Sequence, residues 1–166
     1  MNAFLGIDVS KGYADFYIID DNGLELEDSF QLDDTSVGHE ILREWLITTI
    51  SKHHLVSLDC AVESTGGFED NWYAAFIDWS ASMAVRIARL NPSVVKNASK
   101  AELRVNVTDK ESAKNIANYL RRFKDQVSFN EKPTLYASFR TLHNHLLLLT
   151  KQKVQLINEL KQLVYV

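Results

Sequence analysis

Two regimes of hydrophobic patterning divide the chain. Through about residue 128, short apolar runs alternate with amphipathic stretches; beyond Pro133, apolar residues recur every three or four positions, interrupted only at Lys153. The first regime predicts a mixed α/β domain over residues 1–128, and the second a long helix over 133–166.

Residues 4–9, Phe-Leu-Gly-Ile-Asp-Val, are apolar enough for a buried strand, and residues 14–20, rich in Phe, Tyr and Ile, predict a second. Asp21-Asn22-Gly23 supplies hairpin-turn chemistry, because Asn and Gly tolerate positive φ. Residues 24–32 predict a third strand, its Glu25 and Glu27 alternating with leucines as suits a wet edge. Thr35 or Ser36 can cap a helix to about Lys52, with Ile41, Leu42, Trp45 and Ile50 as its apolar stripe. Strands over 56–63 and 84–90 follow, separated by a helix over 69–79 whose Trp72, Tyr73, Phe76 and Trp79 read as core. Asn91-Pro92 ends the fifth strand, 92–100 predicts a short helix, and 101–107 a loop. Thr108-Asp109-Lys110-Glu111 matches a capping box for a helix to about Phe123. The order is that of an antiparallel meander joined to parallel strands covered by helices.

In the C-terminal regime Leu135, Phe139, Leu142, Leu146, Leu149, Lys153, Leu156, Leu160 and Leu163 are spaced alternately four and three apart. That is a heptad seam with Lys153 as its one polar member. It predicts a coiled coil or helical hairpin, and a homo-oligomer formed through residues 134–166.

Charge sharpens this picture. The net charge of −4 hides an asymmetry: residues 1–85 carry 3 basic and 16 acidic side chains, whereas 86–124 carry 10 basic and 3 acidic. One compact basic segment in an acidic protein suggests a polyanion-binding face. The single cysteine, Cys60, excludes an internal disulfide and a cysteine-based zinc site, and reads as a small buried hydrophobe. No apolar run reaches the roughly 20 residues of a membrane span, and no basic leader precedes residues 4–9, so a cytoplasmic protein is expected. His53-His54 falls at a helix end, while His143 and His145, two apart on a helix, diverge and cannot share a metal.

Three acids stand out. Asp8 has no reason to occupy an apolar strand unless it is paired or holds a metal, and Gly6 leaves the backbone open on the same face. Glu63 ends another apolar strand before the turn Ser64-Thr65-Gly66-Gly67. If the two strands are neighbours, their carboxyls lie about 5 Å apart and repel unless a cation lies between them. Asp109 opens a basic helix, where it also favours the helix dipole. Ser10, Lys11 and Thr65 are placed either to orient water or phosphate beside the acids, or simply to cap the strand ends.

Gly6-Ile7-Asp8-Val9-Ser10-Lys11, Glu63-Ser64-Thr65-Gly66, and Thr108-Asp109-Lys110 with Ala113 resemble the signatures of the DEDD-type insertion-sequence transposases, a family that includes the Piv-type DNA invertases. The resemblance covers roughly residues 3–124. It implies an RNase H-like, RuvC-like fold: a mixed five-stranded sheet with flanking helices, followed here by the heptad helix. It assigns Asp8, Glu63 and Asp109 to three of the four family acids, which would hold Mg²⁺ or Mn²⁺. The fourth position, one turn after Asp109, is Ser112, a poorer ligand for a hard cation. Glu111 is adjacent but points to another face. The family continues into a C-terminal domain, so a chain ending after the heptad helix is expected to be an isolated catalytic domain or a truncated product.

The resemblance further implies metal-dependent phosphodiester cleavage and strand transfer in DNA transposition, in a bacterial cytoplasm, with target choice guided by a structured RNA. Lys11, Lys96, Lys100, Arg104, Lys110, Lys114, Arg121 and Arg122 would hold the phosphate backbone. The competing reading, carried by Ser112, is a catalytically impaired nucleic-acid-binding and dimerisation module. An actin-like phosphotransferase, suggested by Gly6-Ile7-Asp8, needs a duplicated domain and a second phosphate loop that 166 residues do not show.

Overall fold

The computed structural model describes residues 1–101, 109–130 and 135–164, excepting the side chains of 99–101, 109–110, 135–138, 140–141 and 163–164. The elements are β1 (Asn2–Ser10), β2 (Tyr13–Asp20), β3 (Phe30–Asp33), α1 (Ser36–Lys52), β4 (Ser57–Glu63), α2 (Asp70–Trp79), β5 (Val85–Leu90), α3 (Pro92–Ala101), α4 (Asp109–Phe123) and α5 (Leu135–Val164). The sheet order is β3-β2-β1-β4-β5. β1, β2 and β3 form the antiparallel meander, and β4 and β5 extend it in parallel. This is an RNase H-like mixed five-stranded sheet with flanking helices and a long C-terminal helix.

The sheet buries both faces, which is why β1 and β4 read as nearly continuous apolar runs. One face receives Ala3, Leu5, Ile7, Cys60, Val62 and Ile87 beneath Leu42 and Leu46 of α1 and Trp72, Tyr73 and Phe76 of α2. The other receives Phe4, Tyr17, Ile19, Ala61 and Leu90 beneath Ala113, Ile116, Ala117 and Leu120 of α4. Cys60 is fully buried, and that burial raises its thiol pKa, with a further push from Asp59. Thr35 caps α1, its hydroxyl accepting from the Gly38 N–H at 3.1 Å.

Three expectations need correction. The third strand is four residues long rather than nine. Leu24 is 66% exposed, and the acids expected to alternate along the strand serve separate contacts: Glu25 accepts from the Tyr17 hydroxyl, and Glu27 from Lys52 and His53. Only a single bridge, Ile19 to Glu25, survives there. Second, α1 turns Leu42 and Leu46 inward, leaving Ile41 49% exposed. Leu42, Trp45 and Ile50 do face the core as expected, so Ile41 alone leaves the stripe and Leu46 joins it. Third, Gly6 does not leave open space; a helix lies against it.

The β5 edge is covered. Phe129 bridges Ala88, the Asn130 N–H donates to the Ile87 carbonyl at 2.7 Å, and the Asn130 side chain accepts from the Ile87 N–H at 3.0 Å. Arg86 lies over the Phe129 ring and makes a two-pronged ion pair with buried Asp59, both bonds 2.8 Å.

The chain divides into two compact units, Met1–Asn130 and Glu131–Val166. In the second, α5 runs 30 residues without a break, about 45 Å of helix. Phe139, Leu142, Leu146, Leu149, Leu156 and Leu160 are exposed along it. No helix among the described residues is long and apolar enough to cross a membrane.

Candidate metal and nucleic-acid site

β1 and β4 pair in parallel with Ile7 beside Val62. The next step along both strands sets Asp8 beside Glu63, on backbones about 4.8 Å apart. Because Ile7 and Val62 enter the core under α1 and α2, alternation turns Asp8 and Glu63 to the opposite face, the one α4 covers. The closeness is felt electrically. Burial raises the Glu63 carboxyl, and Asp8 raises it further, to about 7. Both side chains are half-buried.

Gly6, two residues before Asp8 on the same face, lets α4 come down onto the sheet. A Cβ there would lie 2.0 Å from the Ala113 carbonyl oxygen and 2.6 Å from the Ala117 nitrogen. The direction of α4 follows from three contacts. The Lys114 ammonium stands over Tyr17, the residue paired with Gly6. Farther along, Arg121 donates to the Asp21 carbonyl at 3.3 Å, and the Lys124 ammonium stands over Phe4. α4 therefore runs antiparallel to β1, and its first turn, with the backbone of Asp109 and half-buried Ser112, lies toward the strand end that carries Asp8 and Glu63. The Asp109 side chain lies outside the described residues, as does the whole of Thr108.

Sequence reasoning missed Glu69. Its carboxylate is 2% exposed and accepts from the Ser64 hydroxyl, the Thr65 N–H and hydroxyl, and the Gly67 N–H, at 3.2, 3.1, 3.0 and 2.9 Å. Burial pushes this carboxyl up, but its own N–H and the Gly67 and Thr65 donors outweigh burial and hold it below its ordinary value. Thr65 is thus a loop-closing residue. The signal available in sequence was an acid placed just after a Ser-Thr-Gly-Gly turn and just before a helix, where free N–H groups need an acceptor.

The basic residues differ in their surroundings. Lys11 lies exposed in the turn after β1, and Lys96 and Arg122 are exposed on α3 and α4. Arg121 instead packs on the turn after β2, where its side chain comes within 3.3 Å of the Gly23 Cβ position. The side chains of Lys100 and Lys110, and all of Arg104, lie outside the described residues.

Residues 5–165 match the family described as transposase, of the DEDD, IS110 type. The chain belongs to this DEDD transposase family. No curated protein matches it. Among solved structures, the DEDD transposase chain resembles Thermus thermophilus RuvC in complex with a Holliday junction substrate, with a TM-score of 0.56 at 11% identity over 78% of this chain and 99% of that one. A second Thermus thermophilus RuvC structure gives a TM-score of 0.56 at 10% identity, over 76% and 99%. At such identity the likeness establishes the shared fold.

Among the described residues of the transposase chain, no group of three His, Cys, Asp or Glu side chains is arranged to hold a metal ion. What is present is an adjacent carboxyl pair, Asp8 and Glu63, at the strand ends that the first turn of α4 lies toward. Carboxylate oxygens are the donors a hard divalent cation takes.

Proposed function

We propose that this chain is the catalytic domain of a DNA transposase that cuts and transfers phosphodiester strands, with Asp8, Glu63 and Asp109 as its metal ligands and Ser112 beside them. The observation that carries the reading is the Asp8–Glu63 pair, side by side at the ends of parallel central strands on the face that α4 covers. Mg²⁺ or Mn²⁺, when bound, would activate the attacking oxygen and neutralise the leaving one.

The protein's own residues have defined tasks in this reading. Asp8 and Glu63 supply the negative charge that concentrates cations at one strand end. Gly6 holds α4 close enough for its first turn to contribute. Glu69 fixes the loop that leaves Glu63. Lys11, Lys96, Lys100, Arg104, Lys110, Lys114 and Arg122 bind phosphate backbone, which gives affinity and little sequence preference. Arg121 contributes to that surface only through the turn it closes. A structured guide RNA supplies target choice, α5 pairs with a second copy through its leucine seam, and the setting is the bacterial cytoplasm.

RuvC, solved with a Holliday junction, makes a four-way DNA junction the substrate to test first. Supercoiled and branched DNA incubated with Mn²⁺ or Mg²⁺ should be nicked by the wild type and not by Asp8→Asn. Equal cleavage by both would overturn the assignment. Ser112 supports a second reading, a module that binds nucleic acid without cutting it. That reading gains if Asp8→Asn and wild type bind DNA alike and neither cuts at any cation concentration.

A further inference from the structure

Phe68 is 51% exposed, five residues after Glu63, in a loop that the fold takes trouble to hold. Its neighbour Glu69 is buried and receives four hydrogen bonds from Ser64, Thr65 and Gly67. The Ser64 N–H is tied to the Leu90 carbonyl at 3.0 Å. The ring is therefore displayed on a braced support. Elsewhere the large aromatics pack together, as Phe16 does with Phe30 and Phe76 with Trp79. Among the described residues, Phe68 stacks on no other ring.

The turn just before Phe68 is bare. Gly66 and Gly67 adopt φ of +86° and +126°. A Cβ on Gly66 would meet nothing within 4 Å, and one on Gly67 would meet only the Asp70 carboxylate at 3.7 Å. That carboxylate is paired with Arg89, so its charge is offset. A flat apolar face, exposed on a braced loop whose preceding two residues carry no side chains, suits a flat ligand that stacks.

We infer that Phe68 is a stacking platform for an unpaired base of the nucleic-acid substrate, displayed by the Glu69-braced loop that leaves Glu63. The inference rests on the nucleic-acid reading above and adds substrate form to it: the bound strand is locally open at the acids. Stacking on an aromatic face tolerates any base, because each has a π surface.

The test uses the full chain with Ca²⁺ and two oligonucleotides of equal length. One is fully paired; the other carries a central bubble with 2-aminopurine among its unpaired bases. Wild type should bind the bubble more tightly and quench the probe. Phe68→Ala should weaken bubble binding about 5- to 100-fold, the range expected for loss of a base–aromatic stack. It should also abolish the quench, while duplex affinity and salt slope stay unchanged. Phe68→Trp should retain the preference. Glu69→Gln, which keeps the ring but loosens its support, should fall between them. A Phe68→Ala protein of unaltered Tm that binds both DNAs as wild type does would overturn the inference and leave the proposed function standing. Wild type that binds neither DNA would overturn both.

Discussion

Asp8 and Glu63 stand side by side on two parallel strands, and Asp8 makes the ionisation of Glu63 harder. The Glu63 carboxyl, brought to about 7 by burial and by Asp8, is protonated in the fold at pH values where it is ionised in the unfolded chain. The native state then binds more protons than the unfolded state between its ordinary value and about 7, so stability falls as pH rises through that window. In EDTA, denaturant unfolding should show this decline, and Glu63→Gln should remove it. The variant should match wild type at pH 4 and exceed it at pH 8, by at most about 3 kcal/mol. A wild-type stability that rises from pH 5 to 7 would contradict the pairing.

In the proposed site Ser112 takes the fourth ligand position. Ser112→Asp should tighten Mn²⁺ binding by about tenfold, since affinity follows the charge count of the ligands. Isothermal titration checks it. Absence of metal binding in both proteins would argue against a cation site on this chain.

Gly6→Ala would drive a methyl into the backbone of α4. It should cost about 3 kcal/mol or more, at the upper end of overpacking, because main-chain atoms cannot swing aside. Thermal unfolding measures this, and near-UV signals of Tyr17 and Tyr119 would report whether α4 has lifted.

Lys114 and Arg121 lie on one stripe of α4 yet should respond differently. Lys114→Glu should weaken DNA binding and reduce the salt slope by about 1, with Tm kept. Arg121→Glu should lower Tm, because it loses the bond to the Asp21 carbonyl. Equal effects of the two on binding, with Tm unchanged, would return Arg121 to the phosphate-binding set.

The exposed seam of α5 predicts a concentration-dependent dimer or larger species in sedimentation, lost when residues 134–166 are deleted. A monomer at every concentration would leave the leucines to another partner.

Sequence patterning revealed the sheet because its central strands β1 and β4 are buried on both faces and show it as nearly continuous apolar runs. Asp8 and Glu63 were visible as charges breaking those runs. The short third strand was hidden, because Glu25 and Glu27 alternate as an edge strand does while their partners, Tyr17, Lys52 and His53, are distant in sequence. Gly6 looked like an opening because a missing side chain is equally consistent with empty space and with a helix in contact. Glu69 looked like an ordinary first-turn acid, since its donors come together only once Gly66 and Gly67 take positive φ.

The strap formed by Phe129 and Asn130 along β5 has a bearing on assembly. With both Ile87 backbone groups taken by Asn130 and a bridge to Phe129 beside them, an incoming strand would find the middle of β5 already occupied. At the opposite margin, β3 offers only four residues, ending in Asp33. Both borders of the sheet are thus poor templates for edge-to-edge pairing between copies of this protein.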